Sequence, residues 1–293
     1  MTALIASDLD RTLIYSRRFF DTIPPANQCV EVYRDEPISY MTPVAAKLLR
    51  QLAILHIVVP TTTRTIAQYT RITLPGMPYR YAITSNGGNL IVDGAPDLQW
   101  AATVAGRIQA GGPPLPHIMA ELQTRIDDSW VYNMRTAEDL FCYLVVDEAS
   151  LPAAFLADWQ QWCAPRGWTV SQQGRKIYTV PQSLCKAEAV AALHHRLVNT
   201  GELPPEAPIL AAGDGALDAP MLALAAAAIR PAHGELHTLG WQSPHLTVSD
   251  VTGARAAEDI LAWFAARLTA GTPESHHPVQ HSNAHPGERK DNR

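Results

Sequence analysis

Cysteine pairs, long apolar runs and an excess of positive charge are all missing from this chain, and each absence removes a class of protein. The four cysteines, Cys29, Cys142, Cys163 and Cys185, have no CxxC-type spacing, so neither a zinc site nor a disulfide framework is expected and the thiols read as free. No apolar run is long enough to cross a bilayer, and Asp8 comes too early to leave room for a secretory signal before it. A membrane partner is therefore not expected, and a cytoplasmic location is. The formal net charge is −5, which supplies no basic face for nucleic acid. No internal repeat is visible, and the 293 residues are enough for one large domain or two smaller ones.

What is present is two acidic segments far apart in the chain. Asp8-Leu9-Asp10-Arg11-Thr12-Leu13 follows the apolar run from Ala3 to Ser7, and Gly213-Asp214-Gly215-Ala216-Leu217-Asp218 follows the run from Pro208 to Ala212. Both runs read as buried parallel strands, and an open α/β sheet places its chemistry at the carboxyl ends of such strands. Asp8 and Asp10 have the spacing that turns two side chains the same way on extended backbone. Gathering these carboxylates costs free energy unless a cation or a proton compensates. A hard divalent ion held by oxygens, Mg2+, is the simplest compensation, and it points to phosphoryl transfer.

Between and around these segments the pattern is core, insertion, core. Residues 15–40 read as a loop containing Pro24-Pro25. Thr42 caps a helix with Pro43 in its first position, supported by Val44, Leu48 and Leu49. Strands follow at Ile54–Val59 and Tyr81–Thr84 with a helix from Thr65 between them, a βαβαβ pattern that predicts a parallel sheet. From 89 to 181 the periodicity gives helices at 116–126 and 151–164 and strands at 140–146, 168–172 and 176–180, an α+β layer. The chain then returns through a helix at 186–198, the strand before Asp214, strands near Ala227 and Leu246 and a helix at 253–268. The expected division is 1–88 and 182–269 for a Rossmann-like α/β core, 89–181 for an α+β cap, and 270–293 for a polar, disordered tail.

In these motifs the chain resembles the haloacid dehalogenase (HAD) superfamily of phosphatases, in its branch with a large α/β cap that acts on sugar phosphates. The first motif is Asp8-Leu9-Asp10-Arg11-Thr12 and the second Val58-Val59-Pro60-Thr61-Thr62-Thr63-Arg64. The third is Lys186, and the fourth Gly213 to Asp218 with Met221-Leu222 behind it; Thr84-Ser85-Asn86-Gly87-Gly88 matches the loop that precedes the cap. The resemblance implies that Asp8 is the nucleophile, forming an aspartyl-phosphate, and that Asp10 is the general acid/base, with its backbone carbonyl on the metal. It implies Lys186 as the charge that steadies nucleophile and phosphoryl group. Asp214 becomes a direct Mg2+ ligand and Asp218 the residue that holds a metal-bound water or orients the others. Thr62 is the expected phosphate-binding hydroxyl, with Thr61 and Thr63 the alternatives by one step of register. Asn86 and Gly87 form the turn at the entrance, where Asn86 either touches substrate or only shapes the turn.

The implied activity is hydrolysis of a small phosphorylated metabolite, a sugar or polyol phosphate, with a sugar phosphomutase or a non-catalytic binding module as alternatives. The sequence departs from the family in having Arg11 and Thr63 where glycines are usual. A left-handed backbone at position 11 strains arginine; ordinary dihedrals instead leave its side chain to point away from the metal or toward substrate. In the cap, Arg135, Arg175 and Lys176 are possible substrate contacts. Trp130, Tyr132 and Trp168 read as core, and His194-His195 as surface.

Overall fold

The computed structural model describes residues 2–20 and 28–269, so the Pro24-Pro25 segment and the expected tail lie outside the described residues. The first half contains β1 (Leu4–Ser7), β2 (Gln28–Tyr33), β3 (Glu36–Met41), α1 (Pro43–Leu55), β4 (Ile57–Pro60), α2 (Ile66–Tyr69), β5 (Tyr81–Thr84), β6 (Asn89–Val92), β7 (Ala95–Pro96), α3 (Leu98–Gly111) and α4 (Leu115–Gln123). The second contains β8 (Val131–Ala137), β9 (Phe141–Val146), α5 (Phe155–Cys163), β10 (Trp168–Gln173), β11 (Lys176–Pro181), α6 (Lys186–Asn199), β12 (Ile209–Ala212), α7 (Ala219–Leu224), β13 (Ala227–Arg230), α8 (Glu235–Thr238), β14 (Leu246–Val248) and α9 (Ala256–Thr269).

The central sheet has five parallel strands in the order β14-β13-β12-β1-β4. Its strands are short and apolar because both faces are covered. On one face Ile5, Val58 and Leu210 pack with Leu49, Leu52, Ile260 and Phe264 of α1 and α9. On the other, Leu4, Ala6, Val59 and Ala211 pack with Val190, Leu193, Met221 and Leu222 of α6 and α7. The alternation along β1 thus feeds two cores. The expected cap of α1 is present: Thr42 accepts the Ala45 N–H and Pro43 opens the helix. The helix expected from Thr65 is one turn, closed by a Thr65–Gln68 capping box.

The second sheet is antiparallel, in the order β10-β11-β9-β8. Alternation on β11 gives it two functions. Ile177 and Thr179 belong to the buried face, where Thr179 accepts the indole N–H of Trp159 on α5. Lys176 and Tyr178 point the other way, into a cavity shared with the loop after β1.

Several features differ from the sequence reading. The segment read as a loop contains the β2–β3 hairpin. Helix α3 and strand β8 were not expected; α3 is capped by Asp97 and buries Trp100 and Val104 four residues apart. Strand β5 is joined to β4 only by a Thr61–Ile83 bridge and pairs instead with β6, in an antiparallel sheet that continues to β7. Tyr132 is 60% exposed rather than core, because it is the extra residue at an irregularity of the β8–β9 pairing between Val131 and Asn133, where Val131 is the buried one. Trp130 and Trp168 are buried as expected, while His194 is half-buried with Nε2 on the Ala207 carbonyl.

Among the described residues no helix is long and apolar enough to cross a membrane. All four cysteines are free. Burial pushes the Cys142 and Cys163 thiols up to about 12, whereas Cys29 is exposed. Alkylation with iodoacetamide at neutral pH is therefore expected to modify Cys29 first, and Cys142 and Cys163 only after denaturation. Peptide mass spectrometry reads the order, and prompt labelling of Cys142 would contradict this packing.

Candidate active site

The site forms because β1 and β12 are neighbours. Ser7 pairs with Ala212, the Asp8 N–H donates to the Ala212 carbonyl at 2.9 Å, and the two acidic segments leave the sheet side by side. Lys186, the first residue of α6, enters between them fully buried. Its Nζ donates to Asp8 Oδ1 at 2.6 Å and to Asp218 Oδ1 at 2.5 Å. Asp218 Oδ2 accepts the backbone N–H groups of Asp214 and Gly215 at 3.1 and 2.9 Å. The fourth-motif loop is thereby folded around the Asp218 carboxylate, and Asp218 orients that loop while Asp214 faces Asp8.

One ammonium does not balance three carboxylates. Burial pushes the Asp8 carboxyl up to about 7, Lys186 opposing the rise and Asp218 and Asp10 adding to it. Burial and the nearby Asp8 drive Asp214 well above its ordinary range. Burial works against the charge on Lys186, but Asp218 and Asp8 more than reverse it and keep the ammonium protonated. Oxygen atoms of Asp8, Asp214 and Asp218 lie within 4.8 Å of one another, and Asp214 Oδ2 is buried without a hydrogen-bond donor. Hard oxygen donors, excess negative charge and an orphaned carboxylate oxygen fit Mg2+. The Asp10 carboxylate is outside this cluster, so any share it takes in the metal is through its backbone carbonyl.

Asp10 turns instead to Arg64, which donates from Nε and Nη2 to its two oxygens, both at 2.7 Å. Burial alone raises the Asp10 carboxyl, but the Arg64 guanidinium outweighs it and holds the group at about 2. The remaining arm of Arg64, Nη1, reaches Glu31 Oε1 at 2.7 Å, and Glu31 is closed off by Arg71 and by the Ser39 hydroxyl. Glu31 was not legible as a site residue, since alternation through Val30 and Val32 points it outward. A bulge around Glu31 in the β2–β3 pairing turns it inward and leaves Val32 exposed.

Thr61, Thr62 and Thr63 are all buried at the end of β4. The Thr61 hydroxyl is spent on the Val59 carbonyl, while Thr62 Oγ1 accepts the Arg64 N–H and keeps its own proton to give. Asn86 adopts φ 57° and donates to the Leu184 carbonyl at 2.8 Å, with its Oδ1 buried and unpaired. Gly87 has φ 98°, and a Cβ there would meet the Cys185 carbonyl oxygen at 2.5 Å. Asn86 and Gly87 therefore brace the segment that delivers Lys186.

Arg11 takes the left-handed backbone, φ 63°, so the ordinary-dihedral alternative is wrong. Its carbonyl is gripped by the Tyr15 hydroxyl at 2.7 Å and by His233 Nε2 at 2.9 Å. The side chain points toward the cluster rather than away from it: Nε lies 3.5 Å from Asp214 Oδ2, while the residue also lines the cavity beside Asp10.

The antiparallel sheet closes over these residues. Glu235 Oε2 accepts from the Ser171 hydroxyl at 2.6 Å and the Ala216 N–H at 2.8 Å, and Oε1 from the Gln172 N–H at 3.0 Å, tying β10 to the fourth-motif loop. Glu138, in the β8–β9 turn, accepts from Ser85, Asn89 and the Ile66 N–H. Between the layers lies a cavity of 340 Å³ beside Asp10, lined in part by Arg175 and Lys176. Arg135 is not among its lining residues and sits exposed on β8. Glu235 and Glu138 escaped the sequence reading because each serves backbone groups that only the folded chain brings near.

Replacing Arg64 by Met is expected to cost about 3 kcal/mol, the low end for breaking a buried pair, because Arg71 and Ser39 still serve Glu31. Urea denaturation at neutral pH measures it. For the Asp10 carboxyl the folded value of about 2 lies below the ordinary 3.8, so its contribution to stability is complete above 3.8. That contribution fades as pH falls through 2, and the variant should lack this part of the acid dependence.

No family profile matches the sequence, and no curated protein does. Solved structures do match. The sucrose-phosphatase of Synechocystis, solved with sucrose and phosphate, superposes with a TM-score of 0.61 at 15% identity, covering 91% of this chain and 98% of its own. A Thermoplasma acidophilum protein gives 0.55 at 17% identity, covering 90% and 99%. A phosphatase of the haloalkanoate (HAD) enzyme superfamily from Bacteroides thetaiotaomicron gives 0.51 at 12% identity, covering 91% and 95%. The fold is shared: a parallel α/β sheet flanked by helices, together with an antiparallel α+β layer.

Proposed function

We propose that this chain, built on the fold of the HAD-superfamily phosphatases, is a Mg2+-dependent phosphatase that hydrolyses a small phosphomonoester, a sugar or polyol phosphate. The observation that carries this reading is the charge imbalance around Lys186: three buried carboxylates face one ammonium and, 3.5 Å from Asp214 Oδ2, the Arg11 guanidinium, and Asp214 Oδ2 still lacks a hydrogen bond. A purely structural cluster gains nothing from an orphaned carboxylate oxygen.

Asp8, Asp214 and the backbone of Asp10 would hold the ion, with Asp218 fixing the loop. When bound it supplies positive charge to the phosphate oxygens and neutralises the cluster. The Asp8 carboxylate attacks phosphorus, the bond to the leaving oxygen breaks, and that oxygen takes a proton from Asp10. In the second half water attacks the aspartyl-phosphate, Asp10 takes its proton, and Asp8 is released with inorganic phosphate. Lys186 stays charged through both halves and steadies the nucleophile. Thr62 and the turn at Asn86 face the transferred group. To carry a proton Asp10 must leave its doubly bonded pairing with Arg64, so the productive complex loosens that contact. Residues 89–181 act as a cap that excludes bulk water while the phosphoryl group is in transit.

Phosphate release from a panel of sugar and polyol phosphates tests this directly. With Mg2+ the wild-type protein should turn over at least one compound, and with EDTA, or as Asp8→Asn, none. A folded protein that releases no phosphate from any compound would sink the reading. Asp10→Asn should lower kcat by about 10²- to 10⁴-fold on alkyl phosphates. On p-nitrophenyl phosphate, whose leaving group needs no proton, the loss should be much smaller. Equal losses on both substrate types would remove Asp10 from the role of general acid.

A further inference from the structure

The cavity beside Asp10 carries more positive charge than the reaction at Asp8 uses. Among the described residues its lining includes Arg11, Arg18, Arg64, Arg175 and Lys176, with Asp10 as the one carboxylate. Two of these cations are already engaged: Arg64 by Asp10 and Glu31, and Arg11 beside Asp214. Among the described residues Arg18, Arg175 and Lys176 form no ion pair.

The position of these cations is set by the sheet. Lys176 opens β11 and stands on the same face as Tyr178, and its Nζ lies over the Tyr143 and Tyr178 rings at 5.7 and 6.0 Å. Arg175 is the last residue of the turn that joins β10 to β11. Arg18 reaches the same turn from the opposite layer, its Nη2 lying 3.7 Å from where a Cβ on Gly174 would stand, with Glu148 Oε1 at 4.0 Å from that point but outside the cavity lining. The cations thus come from both sides of the cavity.

The hydrogen-bonding character of the lining separates an acidic ligand from a neutral one. A polyol chain needs acceptors as well as donors. The carboxylate acceptor among the described lining residues is Asp10, and both of its oxygens are bonded to Arg64. The Ser39 hydroxyl is committed to Glu31 at 2.7 Å. Ser16, Gln173 and Tyr178 add neutral polar groups, but the three cations without an ion pair outweigh them, the surroundings that suit a carboxylate or a phosphate. Asp10 protonates the departing oxygen, so its side of the site is where the leaving group lies. Asp8 is not part of this lining, and the transferred phosphoryl group is served by Lys186 instead.

We infer that the cavity binds a second acidic group, carboxylate or phosphate, on the leaving-group part of the substrate, with Lys176 and Arg175 as specificity-determining residues. This rests on the phosphatase reading and narrows it to phosphorylated sugar acids and bisphosphates.

Matched substrates test it on the full chain with Mg2+. 6-Phosphogluconate differs from glucitol 6-phosphate by a carboxylate in place of a hydroxymethyl group, and fructose 1,6-bisphosphate differs from fructose 6-phosphate by a second phosphate. The acidic member of at least one pair should have kcat/KM higher by about ten-fold or more, the size of one charge-assisted hydrogen bond. Whichever pair responds identifies the group. Lys176→Met should erase most of that ratio, and Arg175→Gln, at an exposed turn that tolerates change, should reduce it. Equal kcat/KM within both pairs, or ratios that neither variant alters, overturns the inference. If nothing is hydrolysed, calorimetric titration of the Mg2+-loaded protein with 6-phosphogluconate and glucitol 6-phosphate separates the two readings. Tighter binding of the acid that Lys176→Met abolishes keeps the subsite and removes the phosphatase. Equal affinities remove the subsite.

Discussion

A single buried ammonium governs the arrangement of this molecule. Lys186 Nζ sits between Asp8 and Asp218, the acidic residues that open the first motif and close the fourth. Without it the carboxylates that the β1–β12 pairing brings together would repel one another in a space that excludes water. Its position depends in turn on Gly87, where the absence of a Cβ lets the turn after β5 press against the backbone of Cys185. Asn86 secures the same junction through the Leu184 carbonyl. The residues that place the lysine are therefore as much part of the site as the lysine itself. The charge balance remains incomplete, and that deficit is the physical basis for a cation at Asp8 and Asp214.

A second charged chain runs outward from Asp10. Arg64 spends one edge of its guanidinium on Asp10 and its remaining nitrogen on Glu31, and Arg71 and Ser39 complete the shell of Glu31. This network joins the hairpin β2–β3 to the end of β4 and to the loop after β1. It holds Asp10 ionised at neutral pH. Under the proposed mechanism Asp10 has to gain a proton, which makes the proposed catalysis conditional on what loosens this pairing. The excess of cations in the neighbouring cavity provides competing charge for an acidic ligand.

The two layers are linked by carboxylates rather than by apolar packing alone. Glu235 fastens β10 to the backbone at Ala216, and Glu138 fastens the β8–β9 turn to Ser85 and Asn89. Lys176 and Arg175 line the cavity from one layer, and Asp10 and Arg64 from the other.

Much of this was legible in the sequence where the signal is local. Apolar runs ending in carboxylates read as strands that carry a site, Thr42-Pro43 read as a helix start, and Asp8, Asp10, Lys186, Asp214 and Asp218 were named from their motifs. Signals failed where neighbours distant in the chain decide the outcome. Glu31 turns inward through a bulge that its own alternation contradicts, Tyr132 is exposed because it falls at an irregularity of the β8–β9 pairing, and Arg11 takes a left-handed backbone because Tyr15 and His233 hold its carbonyl. Local periodicity and residue chemistry by themselves determined which strands are buried and which of their ends carry the reactive groups, since burial of an apolar run and the need to compensate clustered carboxylates are properties of short segments. Only the tertiary structure decided that β12 lies against β1, that Lys186 falls between their aspartates and that Arg64 claims Asp10, because strand pairing and ion pairing across the chain depend on contacts that no short segment contains.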